Sequence, residues 1–230
     1  ERIAGLAPKI LSYDRPGYFE YAGASGGFLD AFGYPFCRGR ILDTIEQDDG
    51  QYDTSRDVFW ASGACMMVRA DVFRKLGGFD GDFFAHMEEI DFCWRAQLAG
   101  YRIMVEPRSR VFHLGGGTLP NNSPRKLYLN YRNNLSMLYK NLSKRTLWPL
   151  LFTRMVLDGM SAFVFLMQGR RDFFKVVFRS HMDFYKILGM LRAKRRAIQR
   201  DRTGSAAGNI YRGSIILRHA LGRRTFGRMM

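Results

Sequence analysis

The chain has 230 residues, 47% of them hydrophobic and 14% aromatic, enough for a packed core and too apolar for wholesale disorder. Its net charge of +15 is concentrated late, since from Arg170 onward the acids are Asp172, Asp183 and Asp201, and that asymmetry points to an anionic partner such as a phospholipid surface, a phosphorylated ligand or nucleic acid. Three widely spaced cysteines, Cys37, Cys65 and Cys93, form no CxxC or Cys/His cluster, which argues against a disulfide framework or a zinc site and favours a reducing, cytoplasmic setting.

Residues 1–57 are rich in glycine and turn signals, with Ile10–Tyr13 and Tyr18–Tyr21 reading as brief strands in a loop-dominated region. The absence of a signal peptide, and a start at Glu1 in mid-flow, suggest a protein that extends upstream. In Asp57–Arg69, the small residues Ala61, Ser62, Gly63 and Ala64 precede an apolar run, Cys65–Val68, expected as a buried strand or the core-facing end of one. Small residues let backbone approach a ligand closely, and they equally suit a tight packing contact. Ala70–Leu76 reads as a short helix stopped by Gly77-Gly78, and Phe79–Asp82 as a turn.

The stretch Phe83–Gly100 is the centre of the sequence. Ile90, Cys93, Trp94 and Leu98 form one apolar helical stripe, while Glu88, Asp91 and Arg95 lie on the other side. Asp91 and Arg95 are spaced for an i,i+4 pair, and Gly100 supplies the stop. Glu88 and Glu89 thus stand at the helix entrance, where acids commonly complement the helix dipole. Tyr101–Glu106 reads as a strand closed by Pro107, and Arg110–Leu114 as another that runs into Gly115, Gly116 and Gly117. His113 at that strand end is placed to face a ligand or metal, although a lone histidine is more often a core residue, and bare amides beside it suit phosphate oxygens.

Pro124–Tyr139 begins a helix with Leu127, Tyr131, Leu135 and Leu138 on its buried face and Arg125, Arg132, Asn133 and Asn134 as spare donors. Leu147–Met167 is apolar and nearly long enough to cross a bilayer, but Arg154, Asp158 and Ser161 draw a polar stripe along it. An interfacial or body-packed helix fits that pattern better than a span. Asp172–Arg200 is amphipathic and basic, Thr203–Gly208 is a linker, and Ile210–Arg228 reads as a short basic tail.

Three features in one order carry a resemblance: Trp60-Ala61-Ser62-Gly63-Ala64 leading to Gly77-Gly78-Phe79-Asp80, the acidic helix ending Trp94-Arg95…Gly100-Tyr101, and Val111-Phe112-His113 with its glycines. The chain resembles the C-terminal half of family 2 glycosyltransferases of the GT-A fold, especially the bacterial rhamnosyltransferase-like branch, over about residues 5 to 140. The resemblance implies an α/β fold, here an incomplete GT-A domain lacking its nucleotide-binding half. It implies inverting transfer of a sugar from a nucleotide-diphosphate donor, dTDP-rhamnose among the candidates, to a glycan or lipid-linked acceptor in surface polysaccharide synthesis. In the family a Glu-Asp pair opens the acidic helix and its second member is the general base; here the pair is Glu88-Glu89, so the role falls on Glu89, one methylene longer.

Glu88 would hold the acceptor or orient the helix, and Asp91 with Arg95 would shape the site. Trp60, Ser62, Gly63, Ala64, Arg95, Gly115, Gly116, Arg132 and Asn133 are the expected substrate-binding residues. His113 matches a ligand of the family's divalent ion, Mn²⁺ or Mg²⁺, whose other ligands are expected in an upstream Asp-x-Asp motif; Asp80-Gly81-Asp82 has the letters in the wrong place. The expected organisation is an acceptor-side half over 1–142, a membrane-proximal helical extension over 143–202, and a basic tail over 203–230. A chain so built would be inactive alone and peripheral on the inner face of a bacterial plasma membrane. The competing expectation is a non-catalytic basic module for anionic membrane or nucleic acid, and no nucleic-acid-binding signature supports the latter.

Overall fold

The structure, a computed structural model, describes residues 2–115 and 123–228. The expected α/β fold is present. In chain order its elements are β1 (Ile3–Ser12), β2 (Gly27–Asp30), β3 (Pro35–Cys37), β4 (Arg40–Ile41), β5 (Thr44–Ile45), β6 (Arg56–Val58), β7 (Met67–Val68), α1 (Ala70–Lys75), α2 (Glu88–Leu98), β8 (Arg102–His113), α3 (Pro124–Asn141), α4 (Lys144–Met167), α5 (Arg171–Lys186), α6 (Leu188–Arg200), β9 (Ile210–Tyr211) and α7 (Ile215–Ala220). They fall into two compact units. The first holds Glu1–Phe79, Phe92–Gly115 and Thr203–Met230; the second holds Asp80–Asp91 and Gly116–Arg202.

The first unit is built on a four-stranded sheet of order β6-β8-β1-β7, in which β1 and β8 run parallel and the edge strands antiparallel. Tyr101–Glu106 and Arg110–Leu114, expected as two strands, are one strand. Its register against β1 jumps from Pro8↔Glu106 to Lys9↔Arg110, so Pro107, which has no N–H to give a ladder, sits in a bulge and interrupts nothing. The run Cys65–Val68, expected as a buried strand or the core-facing end of one, is instead the two-residue edge strand β7 with Met67 largely exposed. Pairing on one side alone leaves its outer face open.

A second, five-stranded sheet of order β5-β4-β3-β2-β9 is held by aromatic packing. Phe226 lies against Phe28, Phe36 and Tyr52, with ring centroids 5.4, 6.0 and 5.6 Å apart. The segment read from sequence as a linker and basic tail therefore belongs to this core: β9 pairs with β2, the Ile215 amide donates to Asp30 Oδ2 at 3.1 Å, and Ile215 is fully buried. Gly78 closes α1 by donating to the Phe73 carbonyl at 2.9 Å, and both Gly77 and Gly78 take positive φ, the conformation that glycine adopts without strain.

The second unit is helical. α3 packs on α4, α5 and α6, and α5 returns antiparallel to α4, with Phe165 on Phe173 at one end and the Tyr185 hydroxyl donating to Met155 Sδ at the other. From Asn133 to Asn141 α3 is buried on every side, so Asn133 and Asn134, spare donors in the sequence reading, lie in the interior. Ser123 and Ser143 cap α3 and α4 by accepting from Lys126 N and Thr146 N.

Candidate active site

α2 begins in the second unit with Glu88–Asp91. The chain enters it through a short 3₁₀ turn, Gly81–Phe83, capped by the Asp80 carboxylate, and then through three non-glycine residues with positive φ: Phe84 (64°), His86 (67°) and Met87 (74°). Each such residue is strained by about 1 kcal/mol or more, and such backbone persists only where its surroundings over-determine it.

α3 supplies those surroundings. Asn133, fully buried, shares its Nδ2 hydrogens among the carbonyls of Phe83, Ala85 and His86 at 2.9, 2.8 and 2.9 Å. Arg132 donates to the Asp82 carbonyl at 2.8 Å and to Asn133 Oδ1 through Nε at 3.0 Å, which fixes the amide's orientation. Lys140, buried, bridges Asp80 at 2.6 Å and Asp91 at 2.9 Å, and Asn141 donates to the other Asp91 oxygen at 2.8 Å. Lys194 also reaches Asp80 and Asp82. Burial raises the Asp80 carboxyl, but the Lys140 and Lys194 ammonium groups outweigh it and hold it at about 2. The approach to α2 is thus pinned at Asp80, along the loop, and at Asp91.

Glu88 and Glu89 stand differently within this frame. Both are half-buried, and each has a buried Oε2 without a hydrogen-bond partner among the described residues. Dehydration, and then the Glu88 charge, push Glu89 up to about 7; dehydration also raises Glu88. A carboxyl poised near neutrality, with one buried oxygen left without a partner, suits proton transfer. His86, whose buried Nε2 also lacks a partner, is held below the ordinary histidine value by dehydration and by Lys126.

In the first unit His113 ends β8 with Nδ1 3.4 Å from a carboxylate oxygen of the buried Glu20, too poorly aligned for a hydrogen bond. A Cβ at Gly115 would sit 2.5 Å from Glu20 Oε1, so that residue must be glycine or the carboxylate must move. A carboxylate behind Nδ1 is the arrangement that orients a ligating imidazole. No group of three or more His, Cys, Asp or Glu converges on one point among the described residues, so these residues do not form a complete divalent-metal site.

The remaining expected site residues divide by burial. The Trp60 indole is buried, donates to the Phe28 carbonyl at 3.0 Å and lies flat against Gly27, where a Cβ would come within 2.0 Å of the ring. Ser62 is buried and accepts from Ala64 N at 3.1 Å, whereas Gly63 and Ala64 are exposed on the turn. Arg95 donates to the Leu76 and Gly78 carbonyls at 2.6 and 2.7 Å, binding the end of α1. Gly116 lies outside the described residues. Sequence reasoning missed Lys140, Asn141 and Glu20: a basic residue in a last helical turn is an ordinary dipole complement and gave no signal.

Residues 39–168, more than half of the chain, match the model of glycosyl transferase family group 2. The chain belongs to that family. It is 38% identical over 88 residues to the N-acetylglucosaminyl-diphospho-decaprenol L-rhamnosyltransferase of Mycobacterium tuberculosis, a stretch covering 38% of this chain and 28% of that protein. It is 39% identical over 85 residues to rhamnosyltransferase WbbL of Escherichia coli K12, covering 37% of this chain and 31% of WbbL, and 28% identical over 97 residues to the O-antigen biosynthesis protein RfbC of Myxococcus xanthus, covering 42% and 8%. The matches thus span less than a third of these relatives. The chain is thus a member of family group 2 whose relatives include rhamnosyltransferases.

Proposed function

We propose that this chain forms the acceptor-side part of an inverting rhamnosyltransferase, with Glu89 as general base. The observation that carries the proposal is the dehydrated Glu89 carboxyl at about 7, its buried Oε2 without a partner, on a helix start held at Asp80, Asn133 and Asp91. In the reaction an acceptor hydroxyl oxygen attacks the anomeric carbon, its proton passes to Glu89, and the carbon–oxygen bond to the nucleoside diphosphate breaks with both electrons leaving on phosphate. Glu88 raises the basicity of its neighbour by charge and faces the acceptor; Asp91, paired with Lys140, is a positioning residue.

The donor, dTDP-rhamnose by kinship with the rhamnosyltransferases, and the lipid-linked or glycan acceptor belong to the same proposal. His113, with Glu20 behind it, would offer one imidazole to the family's divalent ion, which when bound neutralises the leaving diphosphate. His113→Ala should raise the Mn²⁺ concentration needed for half-maximal transfer, and an unchanged titration would return His113 to a packing role.

Glu89→Gln is the decisive variant. It keeps size and removes the base, so transfer in the intact enzyme should fall by about 10²–10⁴-fold, the usual worth of a general base, while donor affinity stays level. Undiminished turnover would sink the assignment.

A further inference from the structure

α4 is, among the described residues, the helix long and apolar enough to cross a membrane by length and composition. Its two faces are unlike. Leu147, Leu151, Arg154, Asp158 and Ala162 are buried within the helical unit, where Arg154 Nε donates to Asp158 at 2.8 Å and His181 Nε2 stands 3.2 Å from the second Asp158 oxygen. The opposite row carries Trp148, Phe152, Met160, Phe163 and Met167, which are 63, 72, 61, 59 and 73% exposed. Between Arg145 and Arg170 the one charged pair, Arg154–Asp158, is turned inward, so this outer row is without charge for about six turns.

We propose that this row is a monotopic membrane-docking face that lies in the interfacial plane of an anionic phospholipid bilayer, parallel to its surface. Charge complementarity selects the occupant. Exposed Lys144 and Arg145 precede the row and exposed Arg171 and Lys175 follow it, which places cations where lipid phosphates would lie at both ends. The neighbouring α5 continues the pattern, with exposed Phe178 beside exposed Lys175 and Arg179.

A spanning orientation is disfavoured by the packing. α4 is wedded along its buried stripe to α5, whose Lys175 and Arg179 are exposed and would be carried into hydrocarbon with it. The docking face extends the proposed transfer reaction without depending on it, because its readout needs no sugar donor and no turnover.

Trp148 provides the probe, since Trp60 and Trp94 are buried and Trp148 is not. The intact protein, mixed with phosphatidylcholine–phosphatidylglycerol vesicles, should co-sediment, and Trp148 emission should shift to the blue. Bromines placed high on the acyl chains should quench it more than bromines near the chain ends, as a shallow interfacial helix requires. Phe152→Glu with Phe163→Glu should weaken partitioning by about tenfold or more while the melting temperature holds, because both rings are exposed. Lys144→Glu with Arg145→Glu should abolish the preference for anionic over pure phosphatidylcholine vesicles. The proposal fails if the phenylalanine variant partitions like the parent. It fails equally if deep bromines quench best, or if the parent ignores vesicles and sediments as a dimer that the same variant dissociates.

Discussion

Dehydration at Glu89 has two consequences with opposite signs for folding and catalysis. A carboxyl raised from 4.5 to about 7 binds its proton more tightly folded than unfolded, so its contribution to stability is fully present below pH 4.5 and is lost as pH rises toward 7. The proposed base role needs the ionised form, so kcat/KM should rise with an acid limb near pH 7. Glu88→Gln removes the like charge beside it and should move that limb to lower pH, which paired pH–rate profiles would show; an unmoved limb would mean that Glu89 does not set it. Asn133 makes a second prediction. Asn133→Leu removes the donors that gather three loop carbonyls, leaving the strained Phe84–Met87 segment free to relax. Transfer should drop by about 10²-fold through misplacement of the carboxylates, and the Glu89-controlled acid limb should shift with it, a signature that simple destabilisation would not produce.

Elements show how far pattern alone reaches. The apolar stripe of α2 and the Gly77-Gly78 stop of α1 were legible because each is set by local spacing or by a backbone conformation that glycine supplies. β8 was not, because Pro107 is a strand breaker by local rule and is tolerated only by the bulge that its pairing with β1 creates. In the Trp60 segment the sequence left a close approach to a ligand and a tight packing contact equally open, and one such packing contact is made by Trp60 itself, whose indole leaves room only for glycine at position 27. Gly27→Ala should therefore destabilise the first unit by about 1–3 kcal/mol or more as an overpacked core, measured by urea unfolding; a neutral variant would show that the ring can move aside. On α3 the buried polar residues Asn133, Lys140 and Asn141 look like a solvated face in sequence, since periodicity reports apolar stripes and is silent about buried donors.

Across the whole chain, the late basic segment serves two ends. Residues 144–200 present exposed cations on the helical unit, whereas residues 203–228 return to the first unit and insert Ile215 and Phe226 into its core. Phe226→Ala should cost about 3–5 kcal/mol, because its ring fills the space among Phe28, Phe36 and Tyr52, and a melting shift near zero would exclude that packing. The sequence by itself determined the α/β class, the family, the acidic helix start and the amphipathic character of the basic helices, since all of these rest on local order and spacing. Tertiary structure alone decided that Asp91 and Arg132 hold the start of α2 through α3 and a loop, that Glu89 is dehydrated toward neutrality, and that the tail is core. Those depend on which residues meet across 50 or more positions of chain, such as Asn133 with Phe83 and Asn141 with Asp91, and no local pattern encodes such meetings.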